Sequence, residues 1–161
     1  MNTLRALQFI LLVSLVPSGL PAQVTDTLTD DDLNIAGLTA QTDTQGVRRV
    51  LGAPSRVDRP DSVGAYKSFS IWRYPRLKVV FNNGQCDVVE VIDSSFATKR
   101  GARVGDQEAK IRRLYGRPMH ANSRGLVYVR SFAWAETRGI VFSLDAGRVS
   151  KITVGNVASP D

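Results

Sequence analysis

The chain states one phrase twice. Val47-Arg48-Arg49-Val50-Leu51-Gly52-Ala53-Pro54 returns as Ile111-Arg112-Arg113-Leu114-Tyr115-Gly116-Arg117-Pro118. Each copy reads apolar, Arg, Arg, apolar, apolar, Gly, any residue, Pro. Apolar residues at i, i+3 and i+4 form one face of a helix. Gly can take the left-handed conformation that ends a helix, and Pro blocks its continuation. A second phrase also recurs: Phe81, Val88 and Val91 share their internal spacing with Phe142, Val149 and Ile152. The expectation is a tandem duplication of one small helix-plus-sheet unit.

Local signals fill in that unit. Thr42 can cap the first helix, with Gln45 three residues later completing a capping box. Asp106 is the matching cap of the second helix, and Glu108 suits the positive end of its dipole. Strands are expected over Tyr66–Tyr74, Leu77–Asn82 and Gln85–Ile92. The last two flank Asn83-Gly84, a strong hairpin signal. In the second unit, strands are expected over Leu126–Trp134, Gly139–Leu144 and Arg148–Val154, the last two flanking a three-residue turn, Asp145-Ala146-Gly147. Each unit thus reads helix, strand, strand, strand. The fold class is α+β, a tandem duplication of a helix–β–β–β unit with helices packed on one face of a curved antiparallel sheet. Residues 38–156 form a single domain of two repeats, 38–93 and 98–156, followed by a tail at 157–161.

The N-terminus reads differently. Arg5, an apolar run over Leu7–Val16 and the small-residue site ending at Ala22 have the three-part pattern of a secretory signal peptide, placed at 1–22. The run is about half of the roughly 20 apolar residues a membrane-spanning helix needs. No Cys follows Ala22 to take a lipid, so the expected product is soluble, periplasmic or secreted, and not lipid-anchored. Residues 23–37 hold Asp26, Asp30, Asp31 and Asp32 without a basic residue and read as an acidic flexible lead-in. Asp30, Asp32 and Asn34 have the opening spacing of a calcium loop, but Ile35 and Gln41 stand where that loop needs Gly and Glu. With the acidic lead-in set apart, the rest of the chain is more basic than its overall net charge of +6. Such a field draws in anionic partners.

The phrases Gly46-Val47, Leu51-Gly52-x-Pro54, Trp72-x-Tyr74, Val80-Phe81-x-x-Gly84 and Val88-x-x-Val91 resemble the SmpA/OmlA type of envelope domain. The segment opened by Thr98-Lys99-Arg100-Gly101-Ala102-Arg103-Val104-Gly105-Asp106 resembles a second copy. Tandem units of this kind are similar to the β-lactamase-inhibitor-protein-like fold. The resemblance covers about 38–156 and implies a periplasmic or secreted protein-binding module. SmpA/OmlA members are outer-membrane lipoproteins serving β-barrel assembly. This chain has two units and lacks the lipid-bearing Cys, so that role is not carried over. Nor can any loop be matched to an inhibitory one.

Chemistry-bearing residues are sparse. Cys86 is the only cysteine and His120 the only histidine. A Cys–His dyad would need them adjacent, while a strand cysteine is ordinarily a small buried hydrophobe. One of each cannot furnish a zinc site, and no phosphate-binding Gly-rich loop or nucleophile elbow is present. No cofactor is expected, and no nucleic-acid motif accompanies the charge. Arg48, Arg49, Arg112 and Arg113 fall outside the apolar helix faces. They are candidate anion-binding groups, or cations that simply favour a helix C-terminus. Trp72, Tyr74, Phe132 and Trp134, with Arg73, Arg130 and Arg138 nearby in sequence, suit either a core or the aromatic anchors of an interface. The reading is a non-enzymatic exported binding module. Its partner is another envelope or secreted protein, or alternatively anionic lipid or polysaccharide. A thiol-dependent enzyme at Cys86 is the remaining alternative.

Overall fold

The computed structural model describes residues 27–60, 68–133 and 136–157. The expected signal peptide, the start of the lead-in, Trp134 and the tail beyond Val157 lie outside the described residues. A short 3-10 helix, Asp30–Leu33, comes first. Helix α1, Thr44–Leu51, is followed by strands β1 Arg56–Asp58, β2 Phe69–Arg73, β3 Leu77–Asn82 and β4 Gln85–Val91. Helix α2, Glu108–Tyr115, is followed by β5 His120–Asn122, β6 Gly125–Ala133, β7 Glu136–Asp145 and β8 Arg148–Asn156. The strands form one antiparallel sheet in the order β1-β2-β3-β4-β8-β7-β6-β5. The order helix, four strands therefore occurs twice. The expected three strands per unit become four, because β1 and β5 are three-residue edge strands, too short to show alternation in sequence.

Cross-strand register sorts the side chains into two faces, since neighbours across strands share a face. One row runs Val57–Trp72–Val79–Val89–Val154–Ile140–Tyr128 across seven strands. The next runs Leu77–Val91–Ile152–Phe142–Leu126–Ala121. Most of these residues belong to one hydrophobic core, together with Val47 of α1 and Ile111 and Tyr115 of α2. Both helices thus bury their apolar stripe on the same side of the sheet. Bulges between Val80/Phe81, Val129/Ser131 and Ser143/Leu144 interrupt the ladders, and such bulges bend strands.

Equivalent contacts recur in the two halves. The α1 N-cap, Asp43, bridges to Gln85, and the α2 N-cap, Gln107, bridges to Arg148. Cys86 N–H donates to the Thr42 carbonyl at 2.9 Å, and Val149 N–H to that of Asp106 at 2.8 Å. Gly52 and Gly116, with φ of 78° and 74°, each end a helix by donating to the carbonyl of Arg48 or Arg112 at 2.8 Å. The Tyr74 hydroxyl then donates to the Gly52 carbonyl, and that of Tyr128 to the Gly116 carbonyl.

The caps differ from expectation by one residue. Asp43, not Thr42, accepts from Gly46 N–H at 2.7 Å. Thr42 instead receives Thr39 N–H through its hydroxyl. Asp106 receives Arg103 N–H, while the N-cap Gln107 makes no side-chain cap bond. The second hairpin turn also contains two residues, Ala146-Gly147, not three, because Asp145 pairs with Arg148.

The lead-in is corrected as well. Leu28 and Ile35 are core residues at 1–2% exposure, and Asp32 is buried beside Arg100. The Asp run masked the apolar spacing that ties this segment down. Asp32 completes a capping box with Thr29.

Candidate functional site

Two further rows lie on the face that the helices do not cover. Arg56–Arg73–Lys78–Glu90–Thr153–Val141–Val127–His120 crosses all eight strands. Beside it runs Asp58–Ile71–Val80–Val88–Gly155–Gly139–Val129. Ile71, Val88, Val129 and Val141 are half-buried, and Val80 and Val127 are the more enclosed members. This face is therefore mixed: charged toward β1, apolar through the middle and toward β6.

Its charges are organised. Asp58 accepts from both Arg56 and Arg73, and these contacts hold its carboxyl below the usual carboxylate range. Glu90 is gripped by Lys78 at 2.9 Å and approached by Lys151 at 3.9 Å. An open cavity of about 230 Å³ beside them is lined by Arg73, Tyr74, Leu77, Lys78, Glu90 and Ile92. Ile92 is among the few strongly exposed large apolar residues. In the middle of the face, Gly155 and Gly139 stand opposite each other. A Cβ on Gly155 would collide with the Asp87 carbonyl, and one on Gly139 with that of Tyr128. Backbone approach thus requires the missing side chains.

Among the described aromatic anchors, Trp72 does not lie on this face. Trp72 is a correction: it is 5% exposed, packs against Phe81 at a centroid distance of 4.7 Å and lies under the Arg48 guanidinium at 5.0 Å. Its register partner Val79 is a core residue, so its ring points under the helices. Tyr74 is half-buried and bonded to the end of α1, and burial raises its hydroxyl pKa. Phe132 pairs with Thr137 in the β6–β7 ladder; its side chain and all of Trp134 lie outside the description. Arg73 is exposed on the uncovered face, whereas Arg130 meets Asp30 at 3.4 Å.

The four helix arginines are also divided. Arg48 stacks on Trp72, Arg112 pairs with Glu108 one turn away at 2.8 Å, and Arg49 and Arg113 are exposed. Cys86 is 4% exposed, and burial pushes its thiol up to about 12. His120 is exposed on β5, four strands away across the sheet, or about 19 Å at ordinary strand spacing. The two are not brought together, and a thiol this protonated and enclosed is a poor nucleophile. Among the described residues, no group of three or more His, Cys, Asp or Glu could hold a metal ion.

One polar cluster leaves no local signal in the sequence. Arg100 donates from Nε and Nη2 to the two carboxylate oxygens of Asp32, both at 2.8 Å. It also donates to the carbonyls of Thr27 and Leu114 and stacks over Tyr115 at 4.9 Å. The Tyr115 hydroxyl bonds the Thr98 hydroxyl at 2.7 Å, and burial raises the tyrosine to about 12. Burial alone would raise Asp32, but hydrogen bonds from Arg100 and Thr29 hold it below 3.8. The partners lie 68 residues apart in sequence, so no local pattern marks the pair.

No protein-family model matches the chain, and no curated protein does. Two solved structures are similar in backbone. One is an extracellular protein containing an SCP domain from Bacillus anthracis strain Ames, with a TM-score of 0.45 and 9% identity over 89% of this chain. The chain spans 50% of that protein's length. The other is a DUF4309-family protein from Bacillus subtilis strain 168, with a TM-score of 0.42 and 12% identity over 75% of this chain and 83% of that one. No role is carried over from either. Among the described residues, no helix is long and apolar enough to cross a membrane.

Proposed function

We propose that this chain is an exported, non-enzymatic binding module that engages another envelope or secreted protein through the uncovered sheet face. The observation that carries the reading is the row Ile71–Val80–Val88 beside Arg73–Lys78–Glu90. An apolar centre with a charged rim is the composition of protein interfaces. The anchors are then Ile71, Val88, Val141 and the exposed Ile92, with Arg73 and Lys78 at the rim, in place of Trp72. A tandem duplication of an SmpA/OmlA-like unit is part of the same proposal. It is supported by the recurrence of the cap-to-strand bridges and of the glycine helix stops. Export rests on the signal-peptide pattern at 1–22. The enclosed Cys86 thiol and its separation from His120 support a non-enzymatic role.

Affinity capture tests this reading. The chain from Gln23 onward, and its Ile71→Glu and Val88→Glu variants, are used as bait in extract from the envelope of the producing cell. The expected result is one protein retained in high salt by the parent chain and lost by both variants, whose circular dichroism is unchanged. Retention of only lipid or polysaccharide, released as salt screens the charges, would replace the proposal with surface association through the basic residues.

A further inference from the structure

The ion pairs of the segment that precedes both helices run to the second half of the chain, past the half it leads into. Asp30 faces Arg130 of β6 at 3.4 Å, Asp31 faces Lys99 at 3.8 Å, and Asp32 is held by Arg100 at 2.8 Å. Each of three consecutive carboxylates thus meets a cation from residues 99–130. Leu28 enters the core at 2% exposure, and Arg100 closes over the Thr27 carbonyl. The surface that this segment lies on is complementary to it in charge. We propose that it is an exchange site: the Thr27–Ile35 arm of a second copy of this chain occupies it, and two chains that trade arms form a dimer.

The connection between arm and helix favours the trade. The arm joins α1 through a tight turn in which Ile35 and Leu38 exchange backbone hydrogen bonds at 3.2 and 3.0 Å. Both residues inside the turn are left-handed, Ala36 at φ 56° and Gly37 at φ 74°. A left-handed alanine is disfavoured by its Cβ, so opening the turn into extended chain relieves it. The Ile35–Thr98 bridge and the three ion pairs travel with the arm and reform unchanged in the other copy. Among the described backbone hydrogen bonds of the arm, the reciprocal Ile35–Leu38 pair is the one lost. Exchange of an identical element carries little energetic cost beyond association itself, so the dimer grows with protein concentration. This proposal stands apart from the sheet-face reading, because no residue is shared between them.

The test uses full chains carrying one added cysteine each. Asp31 and Lys99 are 81% and 64% exposed in their side chains, so neither Asp31→Cys nor Lys99→Cys disturbs the core. The two chains are mixed at high concentration, incubated and treated with a short thiol cross-linker. The expected product is a linked heterodimer whose yield falls on dilution and which neither chain forms alone. The doubly substituted chain, linking within itself, is the positive control. If it links while the mixture yields no heterodimer at any concentration, the proposal is overturned. A charge-swapped pair gives a second readout. Asp32→Arg and Arg100→Asp chains each lose the clasp, and only arm exchange restores both pairs at once. The mixture is expected to show a heterodimer mass and a higher melting temperature than either chain alone. Continued monomers with unchanged melting would again overturn it. Should either charge variant fail to fold, the cysteine pair decides.

Discussion

The two halves share a scaffold and fill it differently. In the first, Trp72 packs on Phe81 under Arg48, and α1 contributes one fully buried side chain, Val47. In the second, Tyr115, Tyr128 and Phe142 form a triangle with centroids 5.2–5.9 Å apart, and α2 buries both Ile111 and Tyr115. Arg100 stacks on that triangle and binds Asp32. Matching positions in the repeated phrase, Leu51 and Tyr115, are respectively half-buried and 1% exposed. Backbone pairing and glycine stops therefore define the architecture, while side-chain filling determines how strongly each helix is held. The second half should be the more robust against fraying and the more sensitive to loss of a single group.

Substitution at that matched pair breaks the comparison most severely. Tyr115→Ala removes a ring packed on two others, with an expected loss of about 3–5 kcal/mol in chemical denaturation. Leu51→Ala, half-exposed, should lose about 1 kcal/mol. Comparable losses from both would show that the halves are packed alike.

Breaking the clasp comes next. Asp32→Asn leaves Arg100 enclosed without its counter-charge, and about 3 kcal/mol is expected for removing one partner of such a pair. The same group sets an acid dependence. Its folded pKa lies below the unfolded 3.8, so the native state binds its proton less readily than the unfolded chain. The contribution is complete above that value and is lost as pH falls through the lowered folded one. Acid melting of Asp32→Asn should accordingly be flatter below pH ~4 than that of the parent chain.

Helix caps give the smaller contrasts. Asp43→Ala removes the one side-chain cap of α1 and should cost about 1 kcal/mol. Gln107→Ala, at the uncapped start of α2, should be nearly silent in the same melts. Tyr128→Phe deletes the bond to the α2 stop at about 1 kcal/mol, and Tyr74→Phe less, because its surroundings are wetter.

Much of this arrangement is legible in the sequence, for identifiable reasons. Gly52, Gly116 and Asn83-Gly84 are positions where φ must be positive, so they mark stops and turns locally. The repeated Val47/Ile111 stripe marks the buried helix faces. By contrast, the assignment of Trp72 to a face depends on register with Val79, a long-range quantity. The ladders set Trp72 against Val79 as they set Tyr128 against Ile140, each one step from the Phe81 or Phe142 row. The bulge at Arg130 shifts the count along β6. The Asp run at 30–32 looks solvated because its partners, Lys99, Arg100 and Arg130, lie far along the chain.

The proposed binding surface is the sheet face away from the helices. Methyl-resolved NMR of the chain, titrated with the protein retained by capture, tests it most directly. Binding there should shift or broaden Ile71, Val88, Val129 and Val141, with Val47, Ile111, Val149 and Ile152 unmoved. Perturbation concentrated at Val50 and Leu114 of the helices, with the uncovered face silent, would contradict it.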